Sequence, residues 1–228
     1  MTKRTSLQLA ALIATALTAC VTPPRVQTGP NAEVSHDGLV RVDNTRMAGV
    51  WVRPDINLDG YDKIILEGAG IEFRPAKDVA SSLARSRQTT FPLSEESKKR
   101  VVSIASEEFR EALSASSRFK LVTEPGPDVL LVRGALLDVA SNVPPDSVGR
   151  NDIYLSQIGE ATLVIEIRDS TSGAILARAI DRRVAEGIGG NMSYSNSASN
   201  WADVRRLAQR WAEQLKRGLE AVAAGSLA

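Results

Sequence analysis

The chain has 228 residues, with 28 Lys and Arg against 27 Asp and Glu, one histidine and one cysteine. So even a balance builds no global field to draw nucleic acid, and a single cysteine excludes an internal disulfide framework. The length suits one domain with a sizeable core.

The N-terminus reads as an export signal. Lys3 and Arg4 give a basic start, and Leu7 to Ala19 carries no charge. That run is shorter than the ~20 apolar residues a spanning helix needs. A basic start, a short apolar run and a small-residue cleavage site describe a secretory signal. Leu17-Thr18-Ala19-Cys20 resembles the lipobox of bacterial lipoproteins, in which the cysteine receives a diacylglycerol and its freed amino group an acyl chain such as palmitate. Cys20 is therefore the expected lipidation site, residues 1–19 the signal peptide, and lipid on Cys20 the membrane contact. Each buried methylene contributes about 0.8 kcal/mol, and two chains already hold stably. Val21 is not the aspartate that retains lipoproteins at an inner membrane, which points to the outer membrane, facing the periplasm. Removing Lys3 and Arg4 leaves 26 basic against 27 acidic residues, a formal balance of −1.

Residues 20–46 read as a flexible tether, broken by Pro23-Pro24 and Gly29-Pro30, and 47–226 as one folded domain. Val50-Trp51-Val52 forms a short strand and Lys63 to Phe73 a longer one. After a polar loop, Ser94 caps a helix whose first turn holds Glu95 and Glu96, where the helix dipole favours acids. Its stripe is Val101, Ile104, Ala105, Phe109, Ala112 and Leu113, with Glu108 the polar exception. Phe119 to Val122 is a strand, Glu124 to Asp128 a turn, and Val129 to Val132 is apolar on both faces, as a central strand requires. A long loop, Ser141 to Gln157, precedes a hairpin. There Ala161, Leu163, Ile165 and Ile167 face one way, Thr162, Glu166 and Arg168 the other, and the turn is Asp169 to Gly173. Gly187 to Ser199 reads as a second long loop. The closing helix, from about Trp201 to Ala224, puts Trp201, Val204, Ala208, Trp211, Leu215 and Val222 on one stripe. Arg205, Arg206, Arg210, Lys216 and Arg217, with Asp203, Glu213 and Glu220, make a solvated face.

The order of short motifs is familiar. Tyr61 to Leu66, Glu124 to Asp128, Gly159-Glu160-Ala161, Asp169 to Gly173, Asp181-Arg182-Arg183 and Trp211-Ala212 follow one another as in the bacterial lipoprotein family catalogued as domain of unknown function 3313, which the chain resembles from about Arg46 to Ala224. The resemblance implies a lipoprotein address and brings no catalytic role.

Chemistry-bearing patterns are few. His36 is the only histidine and lies in the expected tether, so a Ser-His-Asp triad or a histidine zinc site lacks its parts. Asp55 to Gly60 matches the opening of a calcium loop, but Leu66 stands where the bidentate glutamate belongs, which makes it a plain turn. Ser117-Arg118-Phe119-Lys120 fits Ser-x-x-Lys, yet it follows a helix where that chemistry opens one. Gly187 to Gly190 lacks the lysine and the immediate helix of a phosphate cradle. No metal or cofactor is expected.

The expected fold is α+β: one domain, a mostly antiparallel sheet with two main helices in the order β-β-α-β-β-β-β-α. The expected function is non-catalytic binding of an envelope protein or cell-wall component. A hydrolase working with carboxylates alone, for instance on glycans, is the alternative. If the hairpin strands pair, both long loops leave the sheet at one end, and Tyr154 and Tyr194 give each loop an aromatic anchor for a partner.

Overall fold

The computed structural model describes residues 22–75, 90–144, 154–187 and 193–226. In chain order the elements are β1 (Arg25–Val26), β2 (Val40–Asp43), β3 (Gly49–Val52), β4 (Lys63–Phe73), helix α1 (Glu95–Ser114), β5 (Lys120–Leu121), β6 (Val129–Ser141), β7 (Tyr154–Leu155), β8 (Gln157–Asp169), β9 (Ile175–Glu186), β10 (Ser193–Tyr194) and helix α2 (Ser197–Ala223). Eight strands form one sheet in the order β1-β2-β3-β9-β8-β6-β4-β5, and β10 pairs with β7 apart from it. Strand β4 runs parallel to β5 and β6, while every other pairing is antiparallel. The class is the expected α+β, with the parallel pairs made across the α1 crossover.

Local sequence explains the elements. Along β8, Ala161, Leu163 and Ile165 are buried while Thr162, Val164 and Glu166 are less so, the period of two the residues announced. The Ser94 hydroxyl accepts the Ser97 N–H at 3.1 Å and starts α1. Helix α2 begins at Ser197, four residues before Trp201. Asn196 Oδ1 accepts the Ser199 N–H at 2.9 Å, and Ser199 Oγ accepts the Asn196 N–H at 3.2 Å, a reciprocal cap inside a stretch that read as loop.

Both helices lie on one face of the sheet. Val101, Phe109 and Leu113 of α1 join Leu207, Trp211, Leu215 and Leu219 of α2 over Ile64, Leu130, Val132, Leu163 and Ile165 in one buried cluster. A smaller cluster, Val42, Val52 and Ala177, continues the core towards β2, and Ile56 and Ile167 touch both. The opposite face carries a row of cross-strand partners: Glu67, Arg133, Glu166, Arg178, Trp51 and Arg41, on β4, β6, β8, β9, β3 and β2. Arg178 bridges Glu166 at 2.9 Å and Asp37 at 2.7 Å, and the Arg41 guanidinium lies 4.5 Å from the Trp51 ring centroid. Opposite charges facing each other across strands stabilise this solvated side.

Two expectations need correction. The stretch 20–46 is not a tether throughout, since the sheet begins at Arg25 and Leu39, Val40 and Val42 are buried. Its glycines and prolines punctuate turns between short strands: Gly38 takes φ +80 ahead of β2, and Asn44 takes φ 59 after it. The polar side of α2 is also not wholly solvated. Asp203 is buried beside Arg206, and Arg205 Nε reaches the buried Glu108 of α1 at 2.9 Å, so charge lies inside the helix–helix contact.

Candidate functional site

At one end of the sheet, β4 and β6 finish, β8 begins, and both helices start. An open cleft of about 860 Å³ lies there between sheet and helices. Leu66, Ile71 and Phe73 of β4, Val101 and Phe109 of α1, and Trp201 and Trp211 of α2 line it, with Ser94, Ser97, Ser197 and Asn200 around it. The depth is apolar and hydroxyls and amides stand among the lining groups, the usual make-up of a binding cavity.

Two residues without side chains widen its floor. Helix-facing positions run Ile64, Leu66, Gly68 along β4 and Val132, Gly134, Leu136 along β6, and Gly68 is the Cα partner of Gly134. A Cβ built at either glycine meets no atom within 4 Å. A close-packed interior would fill that volume, so the adjoining glycines leave a gap in an otherwise continuous apolar layer. Gly159, by contrast, is demanded by close approach, since a Cβ there would stand 2.4 Å from the Ala140 carbonyl oxygen.

The tyrosines come together beside this cleft. Tyr154 pairs with Tyr194 across the β7–β10 ribbon, their ring centroids 6.0 Å apart at an interplanar angle of 65°. Both are exposed, at 53% and 49%, while Leu155 packs onto the core. Val143, Pro144 and Ser195, which adjoin the two loops, line the cleft, so the ribbon stands at its rim. The loops do emerge at one end, as the hairpin logic required.

The carboxylates near the cleft are paired with arginines. Glu160 contacts Arg74 at 2.7 Å and Arg182 at 2.9 Å, and the Arg74 guanidinium holds its carboxyl below the usual range. Asp138, on a bulge of β6 with φ 54, accepts two hydrogen bonds from Arg74 and is likewise lowered by it. Glu67 lies 3.2 Å from Arg133. Deeper in the core, Asp181 Oδ2 accepts the Trp211 indole N–H at 2.8 Å.

Of the other sequence candidates, Asp55 to Gly60 is a turn in which Asp59 N–H donates to Asn57 Oδ1 at 2.7 Å and Leu58 is buried in the core. Among the described residues no group of three or more His, Cys, Asp or Glu gathers as metal ligands. His36 is exposed, and no described helix is long and apolar enough to cross a membrane. Cys20, the signal peptide and residues 188–190 lie outside the described residues. Sequence reasoning missed the cleft, because the pairing of Gly68 with Gly134 is set by strand register alone.

A family model described as protein of unknown function (DUF3313) matches residues 33–215. The chain belongs to that family. No protein among the curated sequences matches this DUF3313 member. Among solved structures it is similar to PelC from Paraburkholderia phytofirmans, with 14% identity, 73% of this chain and 95% of that one covered and a TM-score of 0.34. It is also similar to a hypothetical protein from Chlamydia trachomatis, at 13% identity, coverage of 72% and 99% and a TM-score of 0.38. A proposed lipoprotein from Caulobacter crescentus has 14% identity, coverage of 75% and 95% and a TM-score of 0.36. Likenesses this distant transfer no function to the DUF3313 chain.

Proposed function

We propose that this protein is an outer-membrane lipoprotein, anchored through Cys20 and facing the periplasm, that acts as a non-catalytic binding module. Its cleft receives an extended apolar segment of an envelope protein, and Tyr154 and Tyr194 grip that segment at the rim. The observation that carries the reading is the cleft itself, about 860 Å³ of apolar space floored by Gly68 and Gly134. A protein segment with apolar side chains suits the mainly apolar lining, with Leu66, Phe73, Phe109 and Trp201, better than a wall glycan rich in hydroxyls. Among the described residues β4 is paired on its outer side only at Lys63 and Ile64, so its remaining length offers backbone hydrogen bonds to an added strand. The anchor reading is supported by the lipobox and by the lone cysteine at its end. Carboxylate hydrolysis fits less well, because a general acid needs a raised pKa. Glu160 at the cleft is lowered instead by Arg74 and Arg182.

A photoreactive residue replacing Tyr194 tests the reading in living cells. The expected result is an adduct to one envelope protein that disappears when Gly134→Leu obstructs the floor of the cleft. An adduct that survives the obstruction, or none at all, overturns it.

A further inference from the structure

We infer that the β1–β2 edge of the sheet faces the bilayer, with β4, the outer strand of the cleft, held on the far, aqueous side. This rests on the lipid-anchor reading of Cys20 and is carried by the length of chain between that cysteine and the fold. Strand β1 is fastened to the sheet: Arg25 and Val26 pair with Asp43 and Val42, Gln27 N–H donates to the Arg41 carbonyl at 2.9 Å, and Gln27 Nε2 donates to Asp43 Oδ1 at 2.8 Å. Even Pro23 is tied, its carbonyl accepting from Asn44 Nδ2 at 3.3 Å. Five steps of chain separate Cys20 from Arg25, and at ~3.3–3.6 Å per residue they reach at most about 18 Å. A leash that short keeps β1 nearer the lipid than the width of the sheet, so the domain cannot turn over to set β4 on the bilayer.

The rest follows from strand order. The cleft spans the ends of β9, β8, β6 and β4, and six strand-to-strand steps separate β1 from β4, which at ~4.8 Å each places its outer strand about 29 Å from the anchored edge. The anchored edge is suited to headgroups. Arg25 and Arg46 are exposed there, Glu33 lies 3.7 Å from Arg41, and Asp43, the cross-strand partner of Arg25, accepts from Gln27 Nε2. Val34 stands 57% exposed on the same side. The outer strand of the cleft thus stands on the side away from the membrane that holds the protein.

The test uses the full acylated chain in phosphatidylethanolamine/phosphatidylglycerol vesicles, carrying an environment-sensitive dye on Thr28→Cys beside β1 or on Glu72→Cys near the end of β4. Both residues are exposed. A nitroxide on the lipid headgroups should quench most of the Thr28 label and little of the Glu72 label. A long Gly-Ser insertion after Pro24 should erase the difference. Protein that floats with the vesicles but shows equal or reversed quenching overturns the orientation alone. Protein that does not float removes the anchor reading and this inference together, and leaves the cleft untouched.

Discussion

Trp211 and Asp181 form the joint between helix and sheet, and removing either should be felt in the whole fold. Trp211 is 2% exposed and Asp181 4%. Asp181 Oδ2 accepts the Trp211 indole N–H at 2.8 Å and the Arg183 Nε–H, while Oδ1 accepts the Ala48 N–H at 3.0 Å. One carboxylate thus ties α2, β9 and the entry to β3. Trp211→Ala removes a buried aromatic and should destabilise by about 3–5 kcal/mol. Trp211→Phe keeps most of the packing but drops a hydrogen bond to a charged acceptor, a loss of about 1.5–3 kcal/mol. For a domain of this size each kcal/mol moves the melting temperature by roughly 2–4 °C, so the alanine variant should melt about 6–20 °C lower. Urea unfolding followed by circular dichroism, run as a cycle with Asp181→Ala, isolates the joint. Its coupling should be about 1–3 kcal/mol, and additivity within about 0.5 kcal/mol would refute the reasoning.

Arg205→Ala strands the buried Glu108 carboxylate between the helices and should destabilise by about 1–3 kcal/mol, most of it recovered by adding Glu108→Leu. No recovery in urea unfolding would place the loss elsewhere. Asp37 is held down to about 2, first by the Ser35 hydroxyl hydrogen bond and then by Arg178. Because its folded pKa lies below the unfolded ~3.9, its contribution is present above that value and is lost as the pH falls towards 2. The stability gap between wild type and Asp37→Asn should therefore shrink as denaturant midpoints are taken from pH 5 to pH 2. A constant gap contradicts the assignment. Cys20→Ser should abolish lipid labelling and release the protein from the membrane fraction; retention would contradict the anchor.

Elements whose residues carry their own period were legible in the sequence. The alternation from Ala161 to Ile167 and the stripe from Val101 to Leu113 needed no knowledge of neighbours, because a buried face repeats at the period of its own backbone. Glu108 broke its stripe for a reason only the partner helix supplies, the Arg205 guanidinium. Strand β2 was passed over although Val40 and Val42 alternate, because two apolar positions between turn residues look like a linker until a neighbour covers them. The meeting of Tyr154 and Tyr194 followed from topology, since antiparallel hairpin strands send their outer ends to one place. The cleft was not legible. Gly68 and Gly134 lie 66 positions apart, and only the register that sets them side by side turns two ordinary glycines into one gap.

The cleft is also the most direct thing to measure. An apolar naphthylamine dye titrated into the purified domain should brighten to saturation at one dye per protein. Gly134→Leu should abolish that signal without lowering the melting temperature, because a strand glycine gives up about 0.5–1 kcal/mol to a residue with a side chain and the new one enters empty space. A dye signal unchanged by Gly134→Leu, or none in the wild-type domain, would contradict a binding cleft at this end of the sheet.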